Sequence, residues 1–180
     1  DLATNEMQVH DKKGENWKVT ILDTGLNTMT GGRVLRAKQY LENERFLLTY
    51  GDGVADVDLN ALLAFHEQHG GIATMTTVSL AQQKGVLEKD ENGQILSFRE
   101  KNDEDAAIIN GGFMVLEPKV FDYLEGDATV LEQEPMRKLA AEGQLFGYAH
   151  DGFWQCMDTQ REKEKLETLW DEGKAPWKRW

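Results

Sequence analysis

Residues 45–56 read Arg-Phe-Leu-Leu-Thr-Tyr-Gly-Asp-Gly-Val-Ala-Asp, so an apolar run ends in one acid, Asp52, between two glycines. An apolar run this short, followed by turn residues, is typical of a strand buried on both faces, as in a parallel sheet. Open α/β sheets bind ligands just beyond the carboxyl ends of their strands, which makes Asp52 a candidate site residue. We expect Gly51 and Gly53 to let a phosphate or a sugar approach the backbone closely.

The isolated carboxylate of Asp52 suits Mg²⁺. This ion usually takes one or two protein carboxylates and leaves its other coordination positions to water and phosphate. The sequence Gly-Asp-Gly is also ordinary turn composition, so a turn aspartate without chemistry is the alternative interpretation.

A second acidic pattern, Asp56-Val57-Asp58, follows the same strand. An aspartate pair with this spacing is one way in which glycosyltransferases bind a metal and a nucleotide sugar. Asp58 also suits the N-cap of the helix that follows, because a short side-chain oxygen can accept hydrogen bonds from the first free backbone amides. A glycosyltransferase is therefore an alternative function for the chain.

Length and composition indicate one sizeable globular domain. The chain has 180 residues, of which 40% are hydrophobic and 29% charged, and no apolar run approaches a membrane span. Cys156 is the only cysteine, so no intrachain disulfide is possible and a reducing, cytoplasmic setting is favoured. The net charge of −12 argues against non-specific nucleic-acid binding, although a local metal and a few cations still permit a nucleotide substrate.

Alternating strand and helix patterns predict an α/β fold. Strands are expected at 17–23, 45–52, 72–80, 95–100, 108–116 and 145–148, with a polar loop at 24–32. Helices are expected at 33–44, from Asp58 to Gly70 or Gly71, at 118–124, at 135–141 and from Thr159 onward. Thr159 and Glu162 fit a capping box, which places Asp158 beside a helix amino terminus where carboxylates and phosphates are favoured.

Several segments in this order form a specific combination, although each alone is a weak signal. They are Asp23-Thr24-Gly25, residues 28–33 (Thr-Met-Thr-Gly-Gly-Arg), residues 50–56, Asn110-Gly111-Gly112-Phe113, Glu132-Gln133-Glu134-Pro135, residues 152–159 (Gly-Phe-Trp-Gln-Cys-Met-Asp-Thr) and residues 169–178 near the end of the chain. Across essentially its whole length the chain resembles the glucose-1-phosphate cytidylyltransferase family of bacterial sugar nucleotidyltransferases.

The resemblance implies a Rossmann-like nucleotide-diphospho-sugar transferase fold, with a mixed, mostly parallel sheet flanked by helices. It implies that residues 1–180 form a single nucleotidyltransferase domain that is incomplete at its amino terminus. The implied reaction joins CTP and α-D-glucose 1-phosphate, with Mg²⁺ as cofactor, to give CDP-glucose and pyrophosphate. The implied role is in making deoxy sugars for surface polysaccharide such as the lipopolysaccharide O-antigen, in a cytoplasmic homo-oligomer that needs no nucleic acid and no membrane.

The same resemblance implies roles for individual residues. The family's metal aspartates fall on Asp52 and Asp158. In the wider superfamily a Glu-Lys pair and an asparagine hold the sugar phosphate, and they fall on Glu100, Lys101 (the expected catalytic lysine) and Asn110. Its substrate-binding positions fall on Thr28, Arg33, Gly51, Glu100, Asn110 and Gly111.

Two departures from the family pattern have consequences. The family begins with a strand, a Gly-Gly-x-Gly-Thr-Arg loop and a later lysine, none of which is found here, and Asn102 stands where the family usually has proline. We therefore expect the chain alone to be inactive and to expose a strand edge near residues 46–50. A non-catalytic domain that binds or senses a sugar nucleotide is the remaining alternative.

Overall fold

The computed structural model describes residues 18–41, 43–80, 86–89, 94–99 and 107–179. Its helices are α1 (Thr30–Ala37), α2 (Leu59–His69), α3 (Glu134–Ala141) and α4 (Gln160–Asp171), with 3₁₀ turns at Lys38–Tyr40 and Pro118–Tyr123. Its strands are β1 (Phe46–Leu48), β2 (Gly53–Ala55), β3 (Ala73–Leu80), β4 (Val86–Lys89), β5 (Ile95–Arg99), β6 (Ala107–Leu116), β7 (Leu145–His150) and β8 (Trp154–Cys156). Within these ranges, no helix combines the length and the hydrophobicity that crossing a bilayer requires.

Strand β6 lies inside the main sheet, whose order is β1-β6-β3-β7. It pairs antiparallel with both β1 and β3, whereas β3 and β7 are parallel. Consequently β1, β3 and β7 run in one direction and only β6 opposes them. The described sheet is therefore mixed with most strands in one direction, and the expected α/β class is confirmed. Strands β2 and β8 form a separate two-stranded antiparallel ribbon, and β4 and β5 form another.

The two faces of β6 pack against different helices. Met114 and Leu116 belong to a core that includes Phe121 of the 3₁₀ turn and Leu139 of α3. Val115, between them in sequence, faces the opposite side and packs in a second core with Leu62 of α2. This alternation follows from the two-residue period of a strand and gives the sheet helices on both faces.

A bulge interrupts β6 at Gly111 and Gly112. Met75 pairs with Met114 but Thr77 pairs with Asn110, so β6 carries two more residues than β3 between these pairs. Gly112 has a φ of +85°, and an added Cβ would lie 2.8 Å from the Tyr50 ring. Both the left-handed backbone and the close ring require glycine at this position.

The local helix signals in the sequence are confirmed. The Asp58 side chain accepts hydrogen bonds from Asn60 N and Ala61 N at the start of α2, and Gly70 ends the helix with a φ of +63°. Thr159 and Glu162 form the reciprocal capping box of α4. Each of these features depends on residues close in sequence, which explains why the pattern located them.

Three of the expected elements differ in the structure. The strand expected at 17–23 is wrong, since residues 18–23 have irregular backbone and Ile21 is 89% exposed. The helix expected at 33–44 begins earlier, at Thr30, and tightens to a 3₁₀ turn after Ala37. The strand expected at 45–52 shortens to β1, which lies at the sheet edge with Leu47 48% exposed instead of being buried on both faces. An apolar pattern specifies a strand only where a partner strand is available to pair with it.

Two histidines on α2 form a directional hydrogen-bond chain. Gly71 N donates to His69 Nδ1 at 2.9 Å, so the other nitrogen, His69 Nε2, carries the proton and donates to Thr74 Oγ1 at 2.6 Å. The Thr74 hydroxyl then donates to Nδ1 of the buried His66 at 2.8 Å. His66 Nε2 donates to Glu117 Oε1 at 3.0 Å. Every polar group in this series therefore has a hydrogen-bond partner.

This series of hydrogen bonds predicts that the protein is less stable in mild acid. Burial, together with the neighbouring His66, lowers the pKa of His69 below its usual value, so the unfolded state binds the extra proton more readily. The contribution of neutral His69 to the free energy of unfolding is therefore complete above the pKa of histidine in the unfolded state, about 6.5. It decreases as the pH falls through that value. Thermal melts at pH 7.5 and pH 5.5 should show a lower midpoint in acid. His69→Gln should melt lower at pH 7.5 but with a smaller change between the two pH values, and an unchanged pH dependence would contradict the assignment.

Candidate active site

The β2–β8 ribbon brings Asp52 and Asp158 to the same end. Gly53 pairs with Cys156, and beyond that pair Met157 N donates to Asp52 O at 2.8 Å. Asp52 therefore lies across the ribbon from the residue that immediately precedes Asp158. Both aspartates are exposed. Two residues more than a hundred positions apart in sequence are thus brought to the same end of the ribbon by a pairing that the sequence analysis did not anticipate, since β8 was not expected as a strand.

Asp158 lies in a small cluster with Cys156 and Glu162, whose ligand atoms are all within 4.8 Å of one another. Glu162 Oε2 accepts hydrogen bonds from Asp158 N at 3.0 Å and Thr159 N at 2.9 Å. The hydrogen bond with the Thr159 side chain is the largest of the effects that hold the pKa of Glu162 below its usual value. One Glu162 oxygen is therefore committed to capping α4.

The Cys156 thiol stays protonated at neutral pH. Burial, followed by its hydrogen bond with the Asp158 carboxylate, raises its pKa to about 11. The carboxylates of Asp52 and Asp158 are exposed at this end of the ribbon and offer oxygen atoms as ligands. Hard oxygen donors of this type suit Mg²⁺ better than a soft metal.

Asn110 belongs to a second polar cluster, formed with Tyr50 and Glu132. Asn110 Nδ2 donates to the Tyr50 hydroxyl at 3.2 Å, and that hydroxyl donates to Glu132 Oε1 at 2.7 Å. Thr30 Oγ1, at the start of α1, donates to the other Glu132 oxygen at 2.6 Å. Asn110 Oδ1 accepts from Gly112 N within the bulge at 2.8 Å. The network connects α1, the loop after β1 and the β6 bulge.

The Tyr50 hydroxyl fixes the orientation of its two neighbours. Burial first, and then Glu132, raise the pKa of Tyr50 far above its usual value, so the hydroxyl remains a donor to Glu132. Asn110 retains one N–H and one oxygen lone pair beyond its bonds to Tyr50 and Gly112. Glu132 retains lone pairs on both oxygens. Together these two side chains offer a donor and several acceptors, a combination that suits vicinal hydroxyl groups.

The remaining expected substrate residues lie in varied surroundings. Thr28 is buried, with 6% exposure, and its methyl group lies against Gly32. Arg33 is exposed and folds back on its own loop, with Nη1 donating to Thr24 Oγ1 and Nη2 to Leu26 O at 3.4 Å. The structure does not place Thr28 or Arg33 in contact with the two clusters above.

Two of the expected glycines differ in their surroundings. Gly51 and its neighbour Gly53 have open space where a Cβ would stand, which is compatible with a ligand close to the backbone. Gly111 is buried, and its carbonyl oxygen accepts from Trp154 Nε1 at 2.8 Å. This bond joins the β6 bulge to the ribbon. Glu100 and Lys101 lie outside the described residues.

The alternative metal site at Asp56-Val57-Asp58 is not supported. Asp58 caps α2, and Asp56 Oδ1 accepts from Phe153 N at 2.8 Å. Val57 is buried in the second core, together with Leu62 of α2. Both carboxylates serve the fold, which removes the observation that favoured a glycosyltransferase.

Tyr50 and Glu132 are the site residues that the sequence analysis missed. Glu132 was noted only as part of a motif, and Tyr50 only as the residue before Gly51. Their contact spans 82 positions, and no spacing rule relates residues so far apart. The one usable signal was that both residues lie, next to turn residues, in segments that carry the family resemblance. Tyr50 opens residues 50–56, and Glu132 opens Glu132-Gln133-Glu134-Pro135.

Comparisons with known proteins identify the family of the chain. Residues 3–158 match the model of the family described as nucleotidyl transferase. The chain is 51% identical to glucose-1-phosphate cytidylyltransferase of Salmonella typhi over 99% of its length, covering 70% of that protein. It is 45% identical to the probable glucose-1-phosphate cytidylyltransferase of Bacillus subtilis over its whole length, again covering 70% of the relative.

Solved structures show the same fold at much lower identity. HddC from Yersinia pseudotuberculosis superposes with a TM-score of 0.58 at 19% identity, over 78% of this chain and 61% of that one. A putative glucose-1-phosphate thymidylyltransferase from Bacillus anthracis gives 0.56 at 16% identity, over 84% and 63%. At such identities the likeness concerns the fold alone.

The network predicts a cost for removing one hydroxyl. Tyr50→Phe leaves the ring over Gly112 but deprives Glu132 and Asn110 of a shared partner, and we expect a loss of about 1 kcal/mol in unfolding free energy. Urea denaturation measures the loss. Tyr123→Phe is the matched control, because its hydroxyl also bonds a glutamate, Glu142, but on an exposed surface. An equal or smaller loss in Tyr50→Phe than in this control would contradict the network.

Proposed function

Because the chain belongs to the nucleotidyl transferase family, we propose that it acts on CTP and α-D-glucose 1-phosphate to form CDP-glucose and pyrophosphate. The relatives at 45–51% identity carry this activity in their names. The structural observation that supports it is the adjacency of Asp52 and Asp158 at one end of the β2–β8 ribbon. CTP as a substrate places the reaction in the cytoplasm.

The proposed reaction is an in-line displacement at phosphorus. An oxygen of the sugar phosphate attacks the α-phosphorus of CTP, and the bond from that phosphorus to the bridging β-phosphate oxygen breaks, with the electron pair leaving on pyrophosphate. Little covalent chemistry falls to the protein, so positioning and charge stabilisation supply most of the rate.

Asp52 and Asp158 are the residues that would bind Mg²⁺. Their carboxylates are exposed at one end of the ribbon and supply an oxygen donor set, which fits this ion. When bound, Mg²⁺ supplies positive charge to the phosphate oxygens. Asp52 lies between Gly51 and Gly53, whose backbone a ligand could approach closely.

The sugar phosphate is assigned to the side of the site formed by the β6 bulge. Asn110 and Gly111 are in the bulge, and Asn110 keeps free hydrogen-bonding capacity for sugar hydroxyls. Lys101 would neutralise the phosphate as a point charge, with Glu100 beside it.

The α1 loop is assigned to the nucleotide. Arg33 would exchange its bonds within the loop for a phosphate, whose geometry its guanidinium matches, with Thr28 fixing the loop from within. In a homo-oligomer this loop would serve a neighbouring subunit's nucleotide.

The metal assignment predicts the behaviour of Asp52→Asn. In the complete protein the variant should fold normally, because this side chain is exposed, yet its turnover should fall by about 10²–10³, the usual cost of one charge-stabilising group. Pyrophosphate release from CTP and glucose 1-phosphate at saturating Mg²⁺ measures it. Asp171→Asn, an exposed acid on α4, is the control and should be unaffected. Near-normal turnover of Asp52→Asn would refute the assignment.

The sugar-phosphate assignment predicts a selective loss in Lys101→Ala. KM for glucose 1-phosphate should rise about 10- to 100-fold, since a hydrogen bond to a charged group contributes about 1.5–3 kcal/mol, whereas KM for CTP should change little. Steady-state kinetics with each substrate varied in turn separates the two effects. Lys119→Ala, an exposed lysine after β6, is the control. Equal changes for both substrates would contradict the role.

A further inference from the structure

Residues 175–179, here called the strap, pack against the end of the ribbon opposite the two aspartates. The Trp177 ring lies 5.3 Å from the Phe153 ring, centroid to centroid. Arg179 Nη2 donates to Asp56 O at 2.6 Å and lies 3.7 Å from Asp56 Oδ2. The strap therefore contacts both residues that close this end of the ribbon.

The hydrogen bonding at Asp56 and Phe153 departs from the antiparallel pattern. Asp56 N donates to Phe153 O at 3.1 Å, which makes the two residues a hydrogen-bonded pair that would normally exchange a second backbone bond. Phe153 N instead donates to the Asp56 side chain at 2.8 Å. The Asp56 carbonyl is left without its strand partner, and Arg179 satisfies it. The last rung of the ladder thus depends on the strap.

His150 completes the same junction. Its Nε2 lies 3.0 Å from Phe153 O and 3.2 Å from Asp56 Oδ1. Both neighbours are acceptors, so this nitrogen carries the proton and donates to them. An added Cβ at Gly152 would lie 2.7 Å from His150 Cε1 and would also overlap Asp56 Oδ1. Only glycine fits between these two side chains, which shows how closely the junction is packed.

The ribbon needs such a junction because it is not part of the main sheet. An isolated pair of three-residue strands is marginal in water. Its described side-chain anchors elsewhere are the bonds from Trp154 Nε1 to Gly111 O and from Lys165 Nζ to Gln155 Oε1, together with the packing of Ala55 against the second core. Asp52 lies four residues from Asp56, about 13 Å along the strand, too far for Arg179 to touch a ligand at the metal end.

We propose that Asp56, His150 and Arg179 are positioning residues that set the register and orientation of the ribbon, so that the strap controls how well Asp52 and Asp158 converge. This proposal rests on the metal assignment made above. Residues that orient metal ligands without touching the metal are often worth 10- to 100-fold in affinity. The proposal extends that role to Arg179, which lies more than twenty residues beyond the end of β8 in sequence.

The test is Mn²⁺ binding, followed by electron paramagnetic resonance of the free ion, in the full chain and in Arg179→Met. Positioning predicts about 10-fold weaker binding in the variant. Charge alone predicts the opposite sign, because removing a cation near an acidic site relieves repulsion of Mn²⁺. Lys178→Met is the matched control: its ammonium lies over the Trp170 ring at 4.4 Å and does not contact Asp56. It should bind Mn²⁺ as tightly as the unmodified chain, or slightly more tightly.

A second measurement tests the junction itself. Hydrogen exchange of the amides in β2 and β8 should accelerate in Arg179→Met and remain unchanged in Lys178→Met, with Arg179→Lys intermediate in both exchange and Mn²⁺ affinity. Unchanged Mn²⁺ binding in Arg179→Met, with weaker binding in Asp52→Asn, would overturn the strap proposal and leave the metal site intact. Unchanged binding in Asp52→Asn would overturn the metal site and the strap's role together.

Discussion

The pairing of β6 with strands on both sides is the constraint on which the rest of the structure depends. Because β6 opposes β1 and β3 at once, it fixes the spacing of the sheet and directs its side chains into two separate cores. Its bulge interrupts the pairing with β3 directly after Asn110. The extra residues at Gly111 and Gly112 turn Asn110 toward Tyr50 and present a carbonyl to Trp154. One irregularity in a central strand thus connects the polar cluster with the ribbon.

The candidate site combines a polar cluster beside the main sheet with the separate β2–β8 ribbon. Asn110 lies beside the bulge of β6 and Tyr50 lies in the loop after β1, and their orientation is fixed by Glu132 and by the bulge. Asp52 and Asp158 flank the strands of a short ribbon outside that sheet. The candidate site therefore draws on the main sheet for one cluster and on a separate short ribbon for the other.

The sequence predicted those features whose causes are local. The Asp58 cap, the Gly70 stop and the Thr159 capping box each follow from residues within a few positions, and all were found in the structure. The irregular backbone at 18–23 shows the limit of such patterns, since an apolar alternation becomes a strand only beside a partner. The β2–β8 pairing and the Tyr50–Glu132 contact join segments 82 or more positions apart, and in a single sequence no periodicity records them. Asp52 was therefore a candidate from its local pattern, Asp158 became its expected metal partner through the resemblance to a family, and the fold brings the two to one end of the ribbon.

The protonated thiol of Cys156 has a practical consequence for anyone attaching a spectroscopic or fluorescent label to this chain. A single cysteine normally invites site-specific alkylation, but the reagent reacts with the thiolate, and a pKa of about 11 leaves roughly three thiols in ten thousand ionised at pH 7.5. An exposed cysteine with an ordinary pKa near 8.5 would have about one in ten ionised. The native cysteine can therefore remain in place while a label is attached to a cysteine introduced elsewhere, and its slow alkylation becomes a report on whether Asp158 is still beside it.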